Sequence, residues 1–176
     1  MIRLKPLQAG GPFVLEIKGQ NTVDWNAVYV GEVWLCSGQS NMDFTVAATP
    51  RYDFAGVQNE PAEQAAANYP QLRMFSGEWQ RAYTPQTSVD GVWKICTPHN
   101  VRQFSAIGYF FGRDLQQALH VPVGIITMTY GASTAEAWVR REALEQIPEM
   151  KDRLAQFDAA AKAFPEDLRR KNDAAY

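Results

Sequence analysis

The first readable hydrophobic pattern is PFVLEIKG, residues 12–19, where apolar and polar positions alternate as on a strand with one face against a core. A turn at Gly19-Gln20-Asn21 and the further stretch NTVDWN predict a two-stranded hairpin. A hairpin buries too little apolar area to stand alone, so residues 1–27 read as the end of an accessory β module or as a flap on a larger body. From residue 28 the text becomes VYVGEVWLC, dense enough in apolar residues for a strand buried on both faces, and the main domain is expected over 28–176.

After Phe44 no long periodic run occurs until Pro70, which predicts loop with a short helix over 63–68. LRMF is a short strand candidate, and the turn-rich text beyond it holds a second at 92–96, after the Asp90-Gly91 turn, which reads as surface decoration. The clearest unit follows: Phe104, Ile107, Gly108, Phe111, Leu115, Ala118 and Leu119 recur at helical spacing, with Ser105 placed to cap the start and Pro122 to stop the run. VGIITMTYG comes next as another buried-strand candidate. The order strand, long excursion, helix, strand favours a parallel sheet with right-handed crossovers. Residues 133–164 predict helix broken near Pro148 and again at Pro165, and 167–176 are helical in propensity. No internal repeat interrupts this reading.

Composition narrows the function classes. Seventeen basic against 19 acidic residues leave a net charge of −2, too small to suggest nucleic acid or an anionic membrane as partner. No apolar run reaches bilayer length, and MIRLKPLQAGG has no signal-peptide core. The two cysteines, Cys36 and Cys96, do not form a multi-cysteine metal site, and neither metal nor cofactor is expected. Five tryptophans suit deep packing or a sugar-binding surface; Trp79 and Trp93 are candidates for stacking on sugar, with core or loop packing as the simpler use.

Candidate chemistry centres on Gly38-Gln39-Ser40-Asn41. A serine directly after a buried strand, in a tight turn leading into a helix, stands at the carboxyl end of the sheet, where α/β proteins place ligands. Ser40 has this setting, whereas Ser37 completes the strand. Ser40-Asn41-Met42-Asp43 also fits the S-x-x-D capping box, in which the serine only closes a helix N-terminus. The turn is not the G-x-S-x-G elbow of α/β-hydrolases, because Met42 stands at the position of its second glycine. From spacing alone both readings stay open.

Two blocks, GEVWLCSGQSNMDF and FSAIGYFFGRDLQQALHVPVGIITMTYGASTAEAWV, resemble the sialate O-acetylesterase family of SGNH-type carbohydrate esterases. The preceding LKPLQAGGPFVLEIKGQNTVDWNAVYV is similar to the segment that leads, in that family, from an accessory β module into the catalytic domain. The resemblance implies a three-layer α/β/α, flavodoxin-like parallel sheet, incomplete in this chain, and an esterase that removes acetyl groups from sugars through an acetyl-enzyme. It implies Ser40 as nucleophile, Gly131 in the oxyanion hole, and Gln39, Asn41 and Glu136 on the substrate side. O-acetylated sialic acid or another acetylated sugar is the implied ligand, and a periplasmic or extracellular setting the implied location. Family members carry two glycines followed by threonine where this chain has Gly131-Ala132-Ser133, and an alanine calls for an ordinary backbone conformation. For Glu136 and Trp138 a helix-start glutamate and a buried tryptophan are equally good readings.

A serine nucleophile needs a base, and the chain has two histidines. The family's Asp-x-x-His block matches neither, since Cys96 stands three before His99 and Gln117 three before His120. His99 reads as an exposed loop residue and His120 as a helix C-terminal residue interacting with the dipole. A Gln-Gly-Glu type block is missing as well. The chain is therefore expected to bear the nucleophile without its base and to show little esterase activity by itself, with a second chain as the source of the missing half. An uncovered sheet face points to association on physical grounds. A non-catalytic carbohydrate-binding module on an esterase scaffold is the competing class. The charge runs at 151–153 and 169–171 read as solvated helix faces.

Overall fold

A computed structural model describes residues 5–49, 55–79 and 82–165; the expectations for 167–176 and for the charge run at 169–171 lie outside the described residues. The chain divides into two compact units, residues 1–78 with 90–131, and residues 79–89 with 132–176.

In the first unit the predicted hairpin forms from β1 (Gly10–Lys18) and β2 (Thr22–Val30), paired antiparallel as a separate two-stranded sheet. The dense apolar stretch that follows is not one strand. It breaks at Gly31, where an added Cβ would lie 1.9 Å from the Pro122 carbonyl oxygen, so Val28 to Val30 belong to the hairpin and β3 is Glu32–Gly38.

A four-stranded sheet is built from β3, β4 (Tyr69–Gly77), β5 (Gly91–Cys96) and β6 (Val123–Thr129), in the order β3-β6-β4-β5. β6 runs parallel to both neighbours, as expected, but β5 pairs antiparallel with β4, which makes the sheet mixed. The stretch read as surface decoration is thus an edge strand of the sheet, anchored by the fully buried Cys96.

Helix α3 (Ala106–Leu119) covers one face of the sheet. Ser105 caps it as predicted, accepting from the Gly108 N–H, and His120 ends it in the left-handed conformation. Gly112 lets the helix sit close: a Cβ there would lie 2.6 Å from Ile125 and 2.9 Å from Leu72. Tyr109, Leu72, Met74, Ile125, Val101 and Val123 fill the core between helix and sheet. The predicted short helix is α2 (Glu60–Ala66), a turn earlier than its pattern suggested, since Pro61 suits its first turn.

The other sheet face differs from expectation. The apolar density of β3 predicts burial on both faces, yet the strand lies at the sheet edge with Val33 63 % and Leu35 64 % exposed. Leu35, Ile126, Phe75 and Trp93 stand in register across the sheet on that face. Between it and the hairpin lies a cavity of about 670 Å³, whose lining includes Leu15, Ile17, Trp25, Val33, Arg73 and Trp93.

In the second unit the helix predicted from residue 133 forms only in pieces: a 3-10 turn at Ala135–Trp138, α4 (Arg141–Leu144) and a 3-10 turn at Pro148–Met150. Val139 and Arg140 are extended, which interrupts any continuous run. The longest described helix of this unit is α5 (Lys151–Ala163), whose Asp158 takes a bidentate pair from Arg141 at 2.6 and 2.7 Å. No described helix is long and apolar enough to cross a membrane.

Candidate active site

The site grows from the end of β3. Gly38 has φ +145°, a conformation that L side chains rarely adopt, and it turns the strand into the single helical turn α1 (Ser40–Asp43). The capping-box alternative for Ser40 does not hold. Gln39 is the N-cap residue, Ser40 is the first residue of the turn, and the Asp43 N–H bonds to the Gln39 carbonyl. The Ser40 side chain is exposed, and its hydroxyl and its N–H both donate to Gln39 Oε1, at 2.6 and 2.7 Å. Asn41 is exposed beside it on the same turn.

α1 is held from two sides. The cap serine of α3 donates from its hydroxyl to the Met42 carbonyl at 2.6 Å, and the Ala106 N–H donates to Phe44 O at 2.7 Å, so the start of the long helix fixes the back of the turn. On the other side, Asp43 Oδ1 accepts the Thr129 hydroxyl at 2.7 Å and Oδ2 accepts the Gly131 N–H at 3.1 Å. The Tyr130 N–H reaches the Gly38 carbonyl at 3.0 Å. Ser40 and Gly131, singled out separately in the sequence, therefore stand on adjacent, cross-bonded loops at the carboxyl ends of β3 and β6.

Neither histidine joins them. β3, β6 and β4 are parallel, so their carboxyl ends share the Ser40 end of the sheet. β5 runs the other way, and its last residue, Cys96, pairs with Tyr69 at the amino end of β4; His99 follows three residues later. His120 closes the far end of α3, whose 14 residues carry it about 21 Å from the end beside Met42. The next backbone bond, Glu32 N–H to Pro122 O, lies at the amino end of β3.

Comparison with known proteins decides the family. Residues 30–165 match the family model for carbohydrate esterases described as sialic acid-specific acetylesterase. The chain belongs to this family. It is 32 % identical over 169 residues to sialate O-acetylesterase of Rattus norvegicus, covering 86 % of this chain and 30 % of that protein. Against the Homo sapiens sialate O-acetylesterase the identity is 32 % over 153 residues, covering 78 % and 28 %. A crystal structure of a carbohydrate acetylesterase from Xanthomonas citri superposes with TM-score 0.73 at 38 % identity, over 81 % of this chain and 32 % of that one. The chain thus spans about a third of the length of these acetylesterases. The mixed α/β fold is that of the SGNH-like esterases.

Of the remaining residues implied by the acetylesterase resemblance, Glu136 lies in the second unit, in the first turn of the 3-10 segment. Its own backbone N–H and the Thr134 hydroxyl, with the Arg153 guanidinium 2.6 Å away, hold its carboxyl below the usual range. Trp138 is not buried: it is 42 % exposed and donates from Nε1 to Ser133 Oγ at 2.8 Å. Trp93 packs on Phe75 and lies over Gly124, where an added Cβ would meet its ring at 3.2 Å. Among the described residues no three His, Cys, Asp or Glu side chains gather as a metal site. Sequence reading missed Asp43 and Thr129. Asp43 passed as half of a capping box, and the signal that remained was the spacing of Thr129 two residues before Gly131.

Proposed function

We propose that this chain carries the nucleophile-bearing part of a carbohydrate O-acetylesterase, with Ser40 as nucleophile. The observation that supports this reading most is the exposed Ser40 hydroxyl on a one-turn helix at the carboxyl end of β3, cross-bonded to the Gly131 loop. In the proposed reaction Ser40 Oγ attacks the acetyl carbonyl while a base takes its proton. The tetrahedral intermediate collapses, and the sugar oxygen leaves with a proton to give the free hydroxyl and acetyl-Ser40. Water, deprotonated in turn, then releases acetate. Backbone N–H groups of the Ser40 turn and of the loop at Gly131 are the proposed donors to the oxyanion. In the structure these two N–H groups rest on Gln39 and Asp43, so substrate has to displace those acceptors. Gln39, Asn41 and Glu136 are proposed on the substrate side.

The base is proposed to lie outside these 176 residues, on the family's Asp-x-x-His block, supplied by a further segment or a second chain. O-acetylated sialic acid or another acetylated sugar is the proposed substrate, in a periplasmic or extracellular setting. Supplying imidazole in place of the missing histidine tests the reading. The chain alone is expected to turn over p-nitrophenyl acetate poorly; with imidazole it is expected to gain hydrolysis above a Ser40→Ala control and to show acetylation of the Ser40 peptide by mass spectrometry. Robust Ser40-dependent turnover without imidazole rejects the missing base, and an identical response of wild type and Ser40→Ala rejects the nucleophile. The distance of both histidines from Ser40 favours one second reading, a glycan-binding module without catalysis. It predicts retention of acetylated glycans undiminished in Ser40→Ala and no acetyl adduct.

A further inference from the structure

We infer that Asp43 is a positioning residue, a carboxylate clamp that fixes the loop after β6 against the nucleophile turn. The inference takes its purpose from the esterase reading above, but its geometry stands on the first unit alone. Asp43 closes α1, three residues after Ser40, and its two carboxylate oxygens grip two points of one loop: Oδ1 takes the hydroxyl of Thr129, the last residue of β6, and Oδ2 takes the N–H of Gly131. Two oxygens held by donors two residues apart leave the loop little freedom to twist. The backbone bond from Tyr130 to Gly38 lies between them and fixes the same junction from the strand side. Ser105, buried and bonded to the Met42 carbonyl, holds the turn that carries the clamp.

This arrangement assigns work to a residue that the S-x-x-D pattern would spend on capping. The Asp43 N–H bonds to Gln39, while its side chain faces the second loop and not the Ser40 N–H. The Gly131 N–H is also no idle donor at rest: a carboxylate holds it, and hydrogen bonds to charged groups are stronger than neutral ones. When substrate takes the Gly131 N–H from Oδ2, the Thr129 grip on Oδ1 and the Tyr130-to-Gly38 bond still hold the loop, which matters because oxyanion donors act only when aimed at a position fixed relative to the attacking oxygen.

Hydrogen exchange at the single amide of Gly131, read by NMR, tests the clamp without needing ester hydrolysis. The Gly131 amide is expected to be protected in the wild type. It should exchange faster by on the order of tenfold in Asp43→Ala, in line with loss of a hydrogen bond to a charged group. Asp43→Asn keeps an oxygen acceptor and is expected to restore most of the protection, while Thr129→Val, which removes only the other grip, should give a smaller rise. Core amides of Leu72 and Ile125 serve as the control for folding and should not change. Gly131 exchange that is unprotected in the wild type, or equal in wild type and folded Asp43→Ala, overturns the proposal. If Asp43→Ala does not fold, Thr129→Val decides it, and Gly131 exchange unchanged in that variant overturns it. A failed Ser40 assay with intact Gly131 protection removes the esterase reading and leaves the clamp; the converse result removes the clamp alone.

Discussion

At Ala132 the backbone has φ +62°, in the left-handed region where an L side chain with a Cβ is disfavoured by roughly 1–2 kcal/mol. The ordinary conformation expected for an alanine at this position is therefore not the one adopted, and the loop after Gly131 has a shape that favours glycine there. Ala132→Gly is expected to raise stability by up to about 1 kcal/mol, the relief being partly offset by the greater entropy of the unfolded glycine, as measured by denaturant unfolding. Cys96 is a second residue with a measurable signature. Burial pushes its thiol from 9.0 to about 12, against a smaller lowering by a backbone bond at Tyr69. The unfolded chain thus releases this proton near pH 9 while the folded chain holds it to about 12. Its contribution to stability is fully present below pH 9 and is lost as pH rises from 9 to about 12, by at most about 1.4 kcal/mol per pH unit. Tyr109, pushed from 10.0 to about 12 by burial first, acts in the same direction. Unfolding titrations across this window should show stability falling with pH, with a shallower slope in Cys96→Ala.

Between elements, the packing of α3 on β6 and β4 has the least tolerance. Gly112→Ala would place a methyl 2.6 Å from Ile125 and 2.9 Å from Leu72, and it is expected to cost about 1–3 kcal/mol in thermal or denaturant unfolding. Ser105→Ala removes both a helix cap and the bond to the Met42 carbonyl, with an expected loss of about 1–2 kcal/mol. Elements whose pattern is local were legible in the sequence: the hairpin, β6, and α3 with its serine cap and proline stop. Ser40 was legible as a candidate because strand, glycine and helix signals converge on it. Other features depend on partners distant in sequence and left no local trace. β5 looked like a loop strand because only its pairing with β4 makes it part of the sheet. Asp43 looked like a cap because Thr129 and Gly131 lie more than eighty residues away. β3 looked buried because hydrophobicity records the need for cover and does not say whether it is met. The run after residue 133 reads as helix as far as a break near Pro148, yet Val139 and Arg140, before that break, take extended conformations that its composition did not announce.

On the scale of the whole molecule, the exposed apolar side chains on the hairpin side of the sheet dominate the expected behaviour. Val33 and Leu35 stand on one edge strand, more than three-fifths exposed, and half-exposed Trp93 and Ile95 stand on the opposite edge strand. Contiguous apolar surface of this kind, next to unpaired strand edges, favours association. The wild type is expected to show a sedimentation coefficient that rises with concentration, and the double variant Val33→Lys, Leu35→Lys to remain monomeric; concentration-independent monomer in both would remove the expectation. The cavity under the hairpin also gives the chain its own optical gauge. Trp25 and Trp93 line it while still 48 % and 47 % exposed, so their indoles emit from a largely aqueous environment. Anything that settles onto this face dries both rings at once, shifting their fluorescence to shorter wavelength and shielding it from a water-soluble quencher without any label being attached.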